Sequence, residues 1–205
     1  MIPNLTKAKS AVLTVGKGGR GFVIKSRGEH VVVTAAHCLP FLPPPHGMSY
    51  TKERTYSKLL GPLGKKPTIW AECFFADPVA DIAVIGSPDN QSLFDEADAF
   101  EALIDPIPPL AIADPPEKGH TYLLSLNGEW FECTFTVMKE SQIWIDDTAQ
   151  EIVGGMSGSP ILLDNGKAVG LVCLGGTPPH LCPRLVRDLP RRFLQPRSRA
   201  FVRRQ

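Results

Sequence analysis

Between residues 10 and 34 one pattern recurs: a short apolar run, then a turn built on glycine. Ser10–Val15 ends in the Gly16–Gly21 cluster, Gly21–Ile24 leads into the Ser26–Glu29 turn, and His30–Thr34 follows, rich in β-branched residues. Runs this short, bounded by turn residues, read as strands and predict an all-β barrel or sandwich. The 20 prolines, about twice the usual share, oppose long helices along the whole chain. At 205 residues the chain can bury roughly 70% of its unfolded surface, so its core needs no covalent staples.

Beyond a loop-rich stretch from Phe41 to Pro67, strands are predicted at Thr68–Phe75 and Asp81–Ile85. From Pro67 to Glu117 there is no lysine or arginine. Within that acidic stretch Leu93, Phe94, Ala97, Phe100, Leu103 and Ile104 follow helical spacing and predict one amphipathic helix. The proline-rich Asp105–Pro116 linker ends it. Further strands are expected at His120–Leu126, Glu129–Met138, Gln142–Ile145, Pro160–Leu163 and Lys167–Leu174, with Asn127-Gly128 and Asn165-Gly166 as hairpin turns. A short helix is expected from Pro183 to Leu189. Arg191, Arg192, Arg197, Arg199, Arg203 and Arg204 then make a basic end, read as a solvated tail or junction, with binding to an acidic partner or to nucleic acid as the other reading.

Composition removes several function classes. A net charge of +1 does not suit a protein that coats nucleic acid, and no apolar run approaches the ~18 residues of a spanning helix. The five cysteines (Cys38, Cys73, Cys133, Cys173, Cys182) are odd in number and lack C-x-x-C spacing, which supports neither a zinc site nor a disulfide framework. Free thiols and an N-terminus without a secretory core point to the cytoplasm. No cofactor or metal is implied.

Three segments carry chemistry when taken together. Val33-Thr34-Ala35-Ala36-His37-Cys38 puts a histidine at a strand end, Ala80-Asp81-Ile82-Ala83-Val84 puts an acid at a strand mouth, and Gly154-Gly155-Met156-Ser157-Gly158-Ser159-Pro160 puts a serine in a glycine-flanked turn. A serine hydroxyl needs a base to become a nucleophile near neutrality, and imidazole titrates in the right range. With these motifs and the Gly19-Arg20-Gly21-Phe22-Val23-Ile24 opening, the chain resembles the trypsin-like (chymotrypsin-fold) serine peptidases from about Ser10 to Leu189. Its compact loops are more similar to bacterial members such as the HtrA or V8-like branches than to digestive trypsins.

The resemblance implies two packed six-stranded antiparallel barrels, an acidic inter-barrel helix and a short C-terminal helix. It implies one peptidase domain over 1–190: a first barrel at about 8–88, helix and linker at 89–117, a second barrel at 118–190, then the arginine-rich tail 191–205. It assigns His37 as base, Asp81 as its orienting carboxylate and Ser157 as nucleophile. The backbone N–H groups of Gly155 and Ser157 become the oxyanion hole, and Ser159 is not the nucleophile. Glu151, Cys173, Leu174 and Gly175 become substrate-binding residues: Glu151 as a pocket wall that would select Lys or Arg, the other three as an edge that pairs with substrate backbone.

Two departures stand out. Met156 replaces the aspartate that pairs with a freshly cut N-terminus in digestive enzymes, so N-terminal maturation is not expected to be the switch. Cys38 faces Phe22 where a half-cystine is expected, which leaves Cys38 a buried free thiol; whether Cys173 and Cys182 pair stays open. The implied activity is endopeptidase cleavage of proteins or peptides in the cytoplasm, restrained by a regulatory partner or a further domain. The alternative is a catalytically silent chymotrypsin-fold module that binds peptides. Neither nucleic acid nor membrane is an expected partner.

Overall fold

The computed structural model describes residues 3–44, 51–138, 142–173 and 180–194. Helix α1 (Pro3–Lys9) precedes six strands: β1 (Val12–Val15), β2 (Gly19–Ser26), β3 (Glu29–Thr34), β4 (Thr55–Pro62), β5 (Ile69–Asp77) and β6 (Ile82–Gly86), with a one-turn helix α2 (Thr51–Arg54) before β4. These close into an antiparallel barrel in the order β1-β2-β3-β6-β5-β4. After α3 (Phe94–Ile104), a second sheet is built from β7 (Lys118–Leu124), β8 (Trp130–Val137), β9 (Ile143–Thr148), β10 (Pro160–Leu162), β11 (Ala168–Leu171) and β12 (His180–Cys182). Its order is β11-β10-β7-β8-β9-β12. Two short helices, α4 (Leu185–Asp188) and α5 (Arg191–Leu194), follow.

The second sheet curls without closing strand to strand. One isolated bridge, Gly170 to Arg184, spans its ends. Pro183 stands beside that bridge and has no N–H with which to extend a ladder.

Why the early strands are apolar on consecutive positions follows from where their faces point. On β3, Val31 and Val33 face a cluster shared by both sheets, while Val32 faces the interior of the first barrel. On β6, Ile82 and Val84 take the shared face and Ala83 and Ile85 the interior. A strand buried on both sides loses the apolar–polar alternation of a half-exposed one. The second sheet has its own interior around Leu123, Phe135, Ile145, Ile161 and Val169. The described residues therefore form three apolar clusters, two inside the sheets and one along their seam.

The seam is fastened by the linker and by both ends. Leu110 donates its N–H to Val23 O at 2.8 Å, and Ala168 donates to Ala111 O at 2.8 Å. Leu5 and Ala8 of α1 lie buried in the seam, as does Phe193 of α5. The predicted acidic helix is present as α3, which turns Ala97, Phe100 and Ile104 inward onto β5 and leaves Phe94 exposed. The expected loop-rich stretch contains β4 and α2, and neither β12 nor α1 was legible. The first four residues of the arginine-rich segment form α5, whose Phe193 packs against Phe75. Arg197, Arg199, Arg203 and Arg204 lie outside the described residues.

Candidate active site

Strand β3 ends at Thr34, and Ala36–Cys38 forms a single 3-10 turn that carries His37 out of the barrel. Asp81 stands immediately before β6, with φ +54°. Left-handed backbone is tolerated by aspartate better than by most residues. There it offers both carboxylate oxygens to the same neighbour: Oδ1 accepts the His37 backbone N–H at 3.0 Å, and Oδ2 lies 2.7 Å from His37 Nδ1. A carboxylate only accepts, so Nδ1 carries a proton, and in the neutral ring it is Nε2 that keeps a lone pair.

Ser157 lies in the turn between β9 and β10, and its side chain is mostly buried. Its turn is fixed from several directions. Arg20 donates its N–H to Ser157 O at 2.7 Å, and Gly158 donates to Val172 O at 2.6 Å. Gly158 has φ +82°, and a Cβ there would lie 1.8 Å from Arg20 O. Met156 N–H bonds Val153 O at 3.2 Å and Ser159 N–H bonds Met156 O at 3.0 Å. Among the described residues, the N–H groups of Gly155 and Ser157 have no such partner. Gly155 takes φ +91°, a conformation suited to glycine. Two spare donors beside a serine hydroxyl are what a developing oxyanion requires.

His37, Gly155, Ser157 and Glu151 line one open cavity of about 750 Å³. The Ser157 hydroxyl, however, donates its only proton to the Cys173 carbonyl and not to the imidazole. Histidine and aspartate are thus engaged, and the serine shares the histidine's cavity with its hydroxyl turned to the backbone just beyond β11. Glu151 is exposed on the cavity wall. Cys173 is buried, and Leu174 and Gly175 lie outside the described residues. Ser159 is fully buried, within 3.4 Å of the Arg20 guanidinium.

All five cysteines are free, so Cys173 and Cys182 do not pair. The residue facing Cys38 is Gly19, which corrects the expectation that Phe22 does so. A Cβ on Gly19 would lie 2.3 Å from Cys38 Sγ. The β2–β3 register pairs Phe22 with Val33, before β3 ends, and puts Gly19 level with the turn that follows. Burial pushes the Cys38 thiol up to about 11, and Cys133 and Cys182 up to about 12. Burial also raises the Cys173 thiol. Protonated thiols are poor nucleophiles and poor metal ligands near neutrality. Among the described residues no group of histidine, cysteine and carboxylate side chains could hold a metal ion.

Arg20 was not singled out by sequence. It is 6% exposed, and its guanidinium donates to Leu124 O at 2.6 Å and to Ser125 O at 2.9 Å across the seam. No carboxylate pairs with it among the described residues. Burial lowers its pKa from the ordinary arginine value, yet arginine stays charged at any working pH. A cation flanked by glycines reads as surface, so only the fold reveals it.

The sequence profile of the trypsin-like peptidase domain matches residues 19–171, which run from β2 to β11 and contain all three motifs. The chain belongs to the trypsin-like peptidase family. Its resemblance-based assignment as a trypsin-like serine endopeptidase therefore stands. The fold of this trypsin-like peptidase is similar to that of a serine protease from a human pathogenic astrovirus, with TM-score 0.54 and 15% identity over 89% of this chain and 94% of that one. At that identity the likeness speaks for the fold alone. No curated protein sequence matches the chain. Among the described residues, no helix is long and apolar enough to cross a membrane.

Proposed function

We propose that this trypsin-like peptidase cleaves internal peptide bonds of protein substrates through His37, Asp81 and Ser157, within the cytoplasm, from a resting state that a partner or further domain relieves. The observation that carries the reading is the double engagement of His37 by Asp81, at 2.7 and 3.0 Å. It fixes the ring and supports Nε2 as the base.

For the reaction the Ser157 hydroxyl must leave Cys173 O and turn to that nitrogen, which faces the same cavity. The proton passes to Nε2 as Oγ bonds to the scissile carbonyl carbon, and the carbonyl electron pair moves onto oxygen. The Gly155 and Ser157 N–H groups are suited to hold that oxyanion. As the carbonyl re-forms, the C–N bond breaks and Nε2 returns the proton to the departing amine. Water repeats the cycle on the acyl-enzyme. The Ser157–Cys173 bond supports a restrained resting state, and the five free thiols support a reducing compartment. The same bond favours the second reading, a catalytically silent peptide-binding module.

Casein cleavage by the purified chain and its variants tests the proposal. Ser157→Ala and His37→Ala should abolish a slow basal cleavage. Asp81→Asn should lower turnover about 10⁴-fold, the loss this change causes in a Ser-His-Asp triad. Cleavage that survives Ser157→Ala would refute the assignment, and rapid unaided cleavage would refute the restraint. Glu151→Ala should remove any preference for Lys or Arg before the cut, and an unchanged profile would exclude Glu151 from that pocket.

A further inference from the structure

A second cavity, of about 710 Å³, opens beside the active-site cavity. The two share Lys17, Gly18, Gly19, Pro40 and Gly155, so a chain can pass from one to the other over the oxyanion turn. Lys17, Arg20, Lys58, Lys65 and Lys66 line the second cavity, and no carboxylate does. None of the four lysines forms an ion pair among the described residues.

These cations are held by built features of the first barrel. Lys58 has φ +54° and lies where the β4–β5 register shifts between Tyr56 and Leu60. Bulges of this kind re-aim side chains beside active sites. Lys65 and Lys66 occupy the β4–β5 turn, which Thr14 pins: its hydroxyl donates to Pro62 O at 3.1 Å and accepts the Gly64 N–H at 2.9 Å.

Direction follows from the shared geometry. A substrate whose reacting carbonyl lies at Gly155 and Ser157, with its acyl side along Glu151–Val153, must send its leaving side the other way. Those three wall residues line only the first cavity, and the second begins at Gly155 and runs to the β4–β5 turn. We propose that the second cavity binds the leaving-group side of the substrate and selects acidic residues within about three positions after the scissile bond, ~10 Å of extended chain. Potentials of opposite sign across an interface set specificity and encounter rate more than raw affinity. The inference rests on the serine peptidase reading above.

The test uses the full chain, a randomised synthetic decapeptide library, and a matched pair of fluorogenic decapeptides with Asp-Glu or Asn-Gln after the cut. Fluorophosphonate labelling at Ser157 reports the catalytic centre separately. New N-termini should be enriched in Asp and Glu. The acidic member of the pair should have about tenfold higher kcat/KM than the neutral one at low salt, with the ratio shrinking as salt rises. In the exposed-turn variants Lys65→Gln/Lys66→Gln and Lys65→Glu/Lys66→Glu the ratio should fall toward one and then invert. Because the ratio is taken within each protein, a general loss of activity does not mimic it. Labelling at Ser157 without acidic enrichment, with or without cleavage, overturns this inference and leaves the peptidase reading intact. A ratio that the turn variants do not change also overturns it. Absence of both labelling and cleavage overturns the peptidase reading and this inference with it.

Discussion

Gly158 and Arg20 show how single residues hold the nucleophile turn against the first barrel. A methyl group on Gly158 would meet the Arg20 carbonyl at 1.8 Å, from a backbone angle of +82°. Neither backbone can yield without moving Ser157. Gly158→Ala is expected to cost about 3 kcal/mol or more, from steric overlap added to left-handed strain, as read by denaturant unfolding. A cost under about 1 kcal/mol would contradict the packing. Arg20→Met strands the Leu124 and Ser125 carbonyls at the seam, each worth about 1–3 kcal/mol when left unpaired. The three chemical motifs were legible because chemistry fixes both residue type and neighbours. Arg20 was not, since its burial is decided by a partner strand 104 residues away. The Ser157 hydroxyl partner was equally hidden, being a choice of rotamer.

Among the elements, legibility tracked how many faces a strand buries. β2, β3 and β6 pack on both sides and read as continuous apolar runs. β4 escaped notice because Ser57 and Lys58 interrupt it and its register shifts. β12 has only three residues, too few for any periodic signal. Helix α1 escaped because its short sequence shows little beyond Leu5 and Ala8 as an apolar face. Both are buried at the seam, and burying one leucine is worth about 1.5–3 kcal/mol. Removal of residues 1–9 should therefore lower the melting temperature and should not raise activity. Higher specific activity would mean that the N-terminus restrains the enzyme. Met156 points the same way: it is 1% exposed, and its sulfur accepts the Val153 N–H at 3.5 Å, an arrangement that needs no newly cut N-terminus.

Across the whole molecule, two sheets with separate interiors meet along a third apolar cluster, and the site lies where they meet. Buried and half-buried thiols are spread over these three clusters and give the fold an alkaline limit. In the unfolded chain each thiol ionises near 9, whereas burial holds Cys38 and Cys73 to about 11 and Cys133 and Cys182 to about 12. The folded state then binds more protons than the unfolded one above pH 9, so stability falls as pH rises from about 9 toward 12. Melting temperature in reductant should be lower at pH 10 than at pH 8. Replacing Cys133 with alanine should shrink that difference even if the melting temperature falls at both pH values.

The central claim is that Ser157 becomes a nucleophile through the imidazole that Asp81 holds. Peptide mapping after fluorophosphonate treatment tests it most directly. The adduct should sit on Ser157, be absent in Ser157→Ala, persist in Ser159→Ala, and form far more slowly in His37→Ala. An adduct on Ser159, or labelling unchanged by His37→Ala, would contradict the account.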